Sequence, residues 1–254
     1  MSKISNFTAA IFDLDDTLLD NIPGGNIVAG LHEQSRLKAA HVVGKRDHIP
    51  ELLTLSLEDN YRAFADAPVH TLEGAVWGML CIAGLRSGDV IIKDDPLLKE
   101  IVALKNEMHE EVLREHGKEV AGAAHFLRAL AAHGFAGHFA IASTAVHRDA
   151  LLSLEIIGVR DLFPDERIIT KEQFDHPKPN PEPFIKALAS LGNPEAVKTL
   201  AFEDDPRGIM SAKAAGLYTC AITTRYTKKD LADLKVAPDL IADSYAEFEK
   251  LFGL

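Results

Sequence analysis

Asp13-Leu14-Asp15-Asp16-Thr17 sets two carboxylates two residues apart at the end of a short apolar run, residues 9–14. With the strand period of two, Asp13 and Asp15 can point to the same side of a strand end. At about 5 Å, in an effective dielectric of about 20, two such anions repel by about 3 kcal/mol. A divalent cation or a shared proton relieves that repulsion. Oxygen-only ligands favour Mg2+, which commonly binds one or two protein carboxylates plus a substrate phosphate. The pattern points to phosphoryl chemistry, with one carboxylate as nucleophile and another moving protons. Standing alone, an acidic turn has a second reading, as the cap of a turn or helix.

Three later segments change that balance. Ser143 and Thr144 follow the apolar run of residues 139–142, so a hydroxyl and successive N–H groups face the start of the next helix, where an anion can bind. Taken singly, Ser143 also reads as an N-cap or turn residue. Lys178 lies in His176-Pro177-Lys178-Pro179-Asn180-Pro181-Glu182-Pro183, a locally stiff stretch before a helix. A lysine held there can neutralise a transferring phosphoryl group; its plainer reading is a solvated loop lysine. Glu203-Asp204-Asp205-Pro206 is a second acidic cluster at a strand end. Asp205 before Pro206 suits an N-cap, which leaves Glu203 and Asp204 to hold or orient a cation.

These residues need elements to carry them. Apolar runs at 9–14, 139–142, 199–202, 218–222 and 240–242, with a weaker one at 167–169, read as strands buried on both faces. Helical stretches at 122–132, 146–157, 183–191, 206–215, 228–234 and 245–251 alternate with them. That order predicts an α/β fold, a parallel sheet with helices on both faces. The interval from Asp20 to Gly117 carries helical periodicity without convincing strands and is too long for an ordinary crossover, so it reads as an inserted helical domain. Within it, residues 97–108 carry one apolar helix face, residues 74–85 read as a buried helix, and Trp77 and Phe64 read as core.

Composition narrows the partners. The 254 residues are 47% hydrophobic and 26% charged, which excludes disordered and fibrous classes. A net charge of -11 argues against a general nucleic-acid or anionic-membrane surface. No apolar run reaches the roughly 20 residues needed to span a bilayer, and residues 1–10 lack a signal-peptide stretch. Two cysteines, Cys81 and Cys220, indicate no disulfide framework and suit a cytoplasmic setting.

The four signals occur in one order at the carboxyl ends of successive predicted strands, where open α/β sheets place their ligand crevice. Together they resemble the haloacid dehalogenase-like (HAD) superfamily: Asp-x-Asp-x-Thr, a Ser/Thr after a strand, a Lys before a helix, and a terminal Glu-Asp pair. The resemblance implies a Rossmann-like core of residues 1–19 and 118–254, with an α-helical cap of the C1 type at 20–117. It implies that Asp13 forms an aspartyl phosphate and that Asp15 is the general acid/base whose carbonyl also reaches Mg2+. It further implies that Ser143 and Lys178, with Thr144 beside them, bind phosphoryl oxygens, and that Glu203, Asp204 and Asp13 hold the metal. True haloacid dehalogenases generally lack an aspartate at the position of Asp15, so a Mg2+-dependent phosphatase acting on a small phosphorylated metabolite is expected, with a β-phosphoglucomutase-like mutase as the alternative. A non-catalytic binding protein fits less well, because the core motifs are complete. For the cap, Asn21, Gly24 and Gly25 are expected to form the hinge, and His32, His41, Lys45, Arg46 and His48 to recognise a leaving group or else to be solvated. His147 and Arg207 are further candidates near the site.

Overall fold

In the computed structural model, which describes residues 3–67, 69 and 71–254, the chain divides into two compact units: one up to Asp20 together with Lys118–Leu254, the other Asn21–Gly117. The first holds six parallel strands, β1 (Ala9–Phe12), β2 (Phe139–Ala142), β3 (Ile168–Ile169), β4 (Thr199–Glu203), β5 (Tyr218–Ile222) and β6 (Leu240–Ala242). Their order is β3-β2-β1-β4-β5-β6. The chain winds outward from β1 to β3, then returns to the other side of β1 as β4. The direction of winding therefore reverses between β1 and β4, the position at which such sheets place a ligand.

The helical unit contains α1 (Leu31–Arg46), α2 (Pro50–Leu53), α3 (Leu57–Ala65), α4 (Leu72–Ile82) and α5 (Pro96–His116). Starts are set by side chains: Ser56 and Asp59 form a capping box on α3, Thr71 accepts from Gly74 N, and Asp95 accepts from Leu98 N ahead of Pro96. α4 is apolar nearly all round and is surrounded, with Val76, Met79 and Leu80 fully buried against Val43, Leu52 and Ile101. Gly78 is where α3 approaches closest, since a Cβ there would lie 2.7 Å from the Ala63 carbonyl oxygen. Trp77 is core as expected, and its indole N–H donates to the Gly88 carbonyl at 2.9 Å. Phe64 is only half-buried, because it lies beneath the Arg36 guanidinium, 5.4 Å from the ring centre.

The sheet unit continues with α6 (Ala123–Leu130), α7 (His147–Ile157), α8 (Glu182–Ser190), α9 (Pro206–Ala214), α10 (Lys228–Ala232) and α11 (Tyr245–Phe252). One sheet face packs Ile11, Ala140 and Ala201 against Phe184, Leu188 and Ala212 of α8 and α9. On the other, Phe12 stacks on Phe202 with ring centres 4.8 Å apart, and Phe126 and Phe248 lie against Phe202 at 5.2 and 5.3 Å. Each buried Phe contributes roughly 1.5–3 kcal/mol, so these two layers fix the strand register. The first strand stops two residues earlier than its apolar run, because Asp13 leaves the ladder after one last bond, its N–H donating to the Phe202 carbonyl at 2.9 Å. Cys220 is buried and unpaired; Cys81, also unpaired, is half-buried. No helix among the described residues is long and apolar enough to cross a membrane.

Asp95 supplies a stability test. Its carboxylate also accepts from Arg86 Nε at 2.6 Å, and this bond, against burial and helped by the Leu98 N–H, holds its pKa below the usual range. A lowered native pKa gives stabilisation that is fully present above the ordinary aspartate range and is lost as pH falls below that range and through the lowered native pKa. Asp95→Ala is expected to cost about 1–2 kcal/mol at pH 7. In urea titrations the gap between variant and wild type should narrow towards pH 3.

Candidate active site

Strand pairing assembles the site. Ile11 lies opposite Ala201 and Phe12 opposite Phe202, so Asp13 comes level with Glu203. By the two-residue alternation both carboxylates turn to the face covered by α8. Lys178 arrives from the proline-rich segment before that helix. Its Nζ donates to Asp13 Oδ1 and to Glu203 Oε1, each at 2.5 Å, and lies 5.0 Å from the Phe184 ring centre. Its side chain is 8% exposed, and those of Asp13 and Glu203 are 11% and 1% exposed. The Phe184 ring thus closes one side of a buried ion triad.

Asp204 completes an acidic cluster. Asp13, Glu203 and Asp204, all buried, each offer a carboxylate oxygen within 4.8 Å of the others. Burial first, then Glu203 and Asp13, push the Asp204 pKa well above the ordinary range. Asp13 is also raised, chiefly by burial; Lys178 opposes this, while Glu203 and Asp15 add to it. For Lys178, burial disfavours the charge, but Asp13 and Glu203 more than reverse that and keep the ammonium protonated. Three carboxylates and one ammonium leave a formal charge of -2 in a low-dielectric pocket. An all-oxygen donor set with that residual charge fits Mg2+.

Two contacts explain why Glu203 can lie so deep. Its second oxygen accepts from the N–H groups of Asp204 and Asp205 at 3.1 and 3.3 Å. Gly208, one turn into α9, leaves the room: a Cβ there would sit 1.9–2.3 Å from the Glu203 carboxyl atoms. Asp205 caps α9 through Arg207 N at 2.8 Å, as its sequence context predicts, and Arg207 Nε turns back to the same carboxylate at 3.2 Å.

The other candidates are distributed as follows. Asp15 is half-buried in the turn after β1, and Thr17 donates to Asp204 Oδ1 at 3.0 Å, tying that turn to the cluster. Ser143 is buried at the end of β2, beside β1; its N–H donates to the Ile169 carbonyl at 3.0 Å and its Oγ accepts from Ala145 N at 3.1 Å. It closes a local turn and does not cap α7, whose N-cap is Val146. Thr144 is exposed beside it. Neither hydroxyl is hydrogen-bonded to the Asp13–Lys178 cluster among the described residues. His147 turns to Thr170, with Nδ1 at 3.5 Å from its hydroxyl, and its N–H donates to Glu172 at 3.0 Å.

In the helical unit, Gly24 and Gly25 have φ of 69° and 74°. His41 Nε2 is 3.0 Å from the Leu55 carbonyl, and Arg46 pairs with Asp47 and Glu100. His32 belongs to a polar cluster. Lys105 Nζ lies 3.3 Å from His32 Nδ1, the His32 and His109 rings stack at 4.3 Å, and His109 Nδ1 is 2.9 Å from Ser35 Oγ. The Ser35 hydroxyl already donates to the Leu31 carbonyl at 2.7 Å, so His109 must donate to it through Nδ1–H. In the Lys105–His32 contact the ammonium can only donate, so His32 Nδ1 is the acceptor.

Comparison with known proteins agrees with the fold. The family model described as haloacid dehalogenase-like hydrolase matches residues 10–222, and the chain belongs to that family. A relative named "Probable phosphatase IndB", from Dickeya dadantii (strain 3937), is 27% identical over 239 residues, covering 93% of this chain and 90% of its own length. "Protein CbbY" of Rhodobacter capsulatus is 34% identical over 125 residues, so the match spans 48% of this chain and about half, 53%, of that protein. Among solved structures, a family IA, variant 3 HAD hydrolase from Entamoeba histolytica HM-1:IMSS superposes with a TM-score of 0.73 at 21% identity, covering 96% of this chain and 97% of its own.

Gly208 gives the prediction for this region. In Gly208→Ala the new methyl meets a side-chain end and not backbone, so the fold should survive while the Glu203 carboxylate is displaced from Lys178. The expected result is an unchanged far-UV spectrum with phosphate release reduced at least tenfold. Retention of full activity would mean that Glu203 does not need its present position.

Proposed function

We propose that this protein is a Mg2+-dependent phosphatase that hydrolyses a small phosphorylated metabolite through an aspartyl phosphate on Asp13. The reading is carried by one observation: Lys178 bonded to both Asp13 and Glu203 within a buried group of three carboxylates. An apolar-walled ion triad with residual negative charge is an unfavourable way to build a fold and a suitable way to receive a phosphoryl group. The relative named as a probable phosphatase, matched over nearly its whole length, supports the same reaction class.

In this reading Asp13 attacks phosphorus, an oxygen–phosphorus bond forms, and the bond to the leaving oxygen breaks. Asp15, as the carboxylic acid, gives its proton to that oxygen. Water then attacks the aspartyl phosphate, Asp15 takes a proton from the water, and Asp13 is released together with inorganic phosphate. Lys178, Ser143 and Thr144 hold the phosphoryl oxygens. Asp13, the Asp15 carbonyl, Glu203 and Asp204 would hold Mg2+, which when bound neutralises charge on the nucleophile and the phosphoryl group. Residues 20–117 act as the cap that chooses the leaving group, and the His32–Lys105–His109 cluster is its best-defined polar feature. The two unpaired cysteines suit a reducing cytoplasm. With a second phosphosugar in place of water as acceptor, the same residues would run a mutase.

The test is phosphate release from sugar phosphates, nucleotides and phosphoglycolate, with Mg2+ and with chelator. Chelation should abolish release and added Mg2+ should restore it. Asp13→Asn should remove activity, and equal release by that variant and the wild type excludes the mechanism. Asp15→Asn should lower kcat by about 10²–10⁴ while changing the Mg2+ dissociation constant little. Product analysis with a sugar monophosphate and its bisphosphate separates hydrolysis from phosphoryl return.

A further inference from the structure

The turn that carries Asp15 is held from outside. Asp16, the next residue, has a φ of 58°, a left-handed conformation that is strained for a residue other than glycine. Its N–H donates to the Leu19 carbonyl at 2.7 Å, which closes the turn from within. The loop after β5 then grips the same residue twice. Thr224 Oγ1 donates to the Asp16 carbonyl at 2.6 Å, and Arg225 Nη1 lies 3.5 Å from Asp16 Oδ2. Asp16 is 3% exposed, a depth at which a carboxylate needs a partner. Beyond it, the Thr17 carbonyl accepts from the Tyr245 hydroxyl at 2.7 Å. Thr224, Arg225 and Tyr245 are all far from the turn in sequence.

We propose that Thr224 and Arg225 are positioning residues: by holding the carbonyl and the carboxylate of Asp16 together, they fix the residue that follows Asp15 and so aim the Asp15 carboxyl at the leaving oxygen. Two contacts on one residue restrain both its place and its rotation, and with them the peptide that joins it to Asp15. Proton transfer needs the donor within about 2.6–3.2 Å of its acceptor, and a misplacement of about 1 Å costs on the order of 10²-fold in rate. The proposal rests on Asp15 as the acid that protonates the leaving group. When the bond from phosphorus to the leaving oxygen breaks and the bond to Asp13 forms, an alkoxide needs that proton. A nitrophenolate, already a stable anion, needs it little.

The experiment compares kcat/KM for ethyl phosphate and p-nitrophenyl phosphate in wild type, Thr224→Val, Arg225→Met, Arg225→Lys and Asp15→Asn, each checked for wild-type circular dichroism. Thr224→Val and Arg225→Met should lose at least tenfold on ethyl phosphate and less than threefold on p-nitrophenyl phosphate, with Arg225→Lys intermediate. Asp15→Asn should show the same asymmetry in stronger form. Equal losses on both substrates in the Thr224 and Arg225 variants, or no loss on either, overturn the positioning role while the Asp15 asymmetry leaves the acid role standing. No asymmetry in Asp15→Asn removes the acid role and the proposal with it. Thr224→Val, nearly isosteric, decides the matter if Arg225→Met does not fold.

Discussion

The structure depends on one electrostatic constraint: like charges are gathered where water cannot screen them. Asp13, Glu203 and Asp204 stand at the ends of two neighbouring strands, buried, with a single ammonium between two of them. In bulk water such a group would cost little, but here every unpaired charge is expensive. The surrounding chain answers at four of the six carboxylate oxygens. Lys178 takes one from Asp13 and one from Glu203, the first N–H groups beside α9 take the other from Glu203, and Thr17 donates to Asp204. The charge left over is what a divalent cation and a phosphoryl group between them can balance.

Strand register makes that gathering possible and keeps it in place. Because β1 and β4 are parallel neighbours, their carboxyl ends coincide, and because side chains alternate, Asp13 and Glu203 share a face while Phe12 and Phe202 share the other. A slip of β1 by one residue would turn Asp13 into the aromatic layer against Phe126 and Phe248 while Glu203 stayed on its own face. The stacked phenyl rings on one face therefore hold the acidic pair on the other. Stability and site geometry are two consequences of the same pairing.

Much of this was legible in sequence, for a physical reason. Parallel strands buried on both faces read as short apolar runs, so all six were visible, and the acidic turns stood out because they ended such runs. Ser143 and the Glu203-Asp204 pair stood out by the same rule, and Lys178 by its proline-rich setting before a helix. What was hidden is what depends on distant partners: Gly208 matters only because of where Glu203 turns, and Thr224, Arg225 and Tyr245 only because the chain brings them back to the Asp16–Thr17 turn. Lys105 reads as part of a helix face and His109 lies just beyond it, and nothing local marks them as partners of His32 and Ser35. The half-buried Phe64 shows the same limit, since its stacking partner, Arg36, belongs to another helix.

Lys178 illustrates why structure and chemistry cannot be separated residue by residue here. Removing it would leave Asp13 and Glu203 facing each other, buried and unpaired, a change that in comparable buried pairs costs about 3–5 kcal/mol. A lost activity in such a variant would then report protonation of a carboxylate, displacement of a strand end, or loss of a phosphoryl contact, all at once. Substitutions that leave the charges in place and move only what holds them carry more information. Gly208 and Thr224 are of that kind, because each acts on one carboxylate or one carbonyl through a single contact, and the net charge of the cluster stays the same.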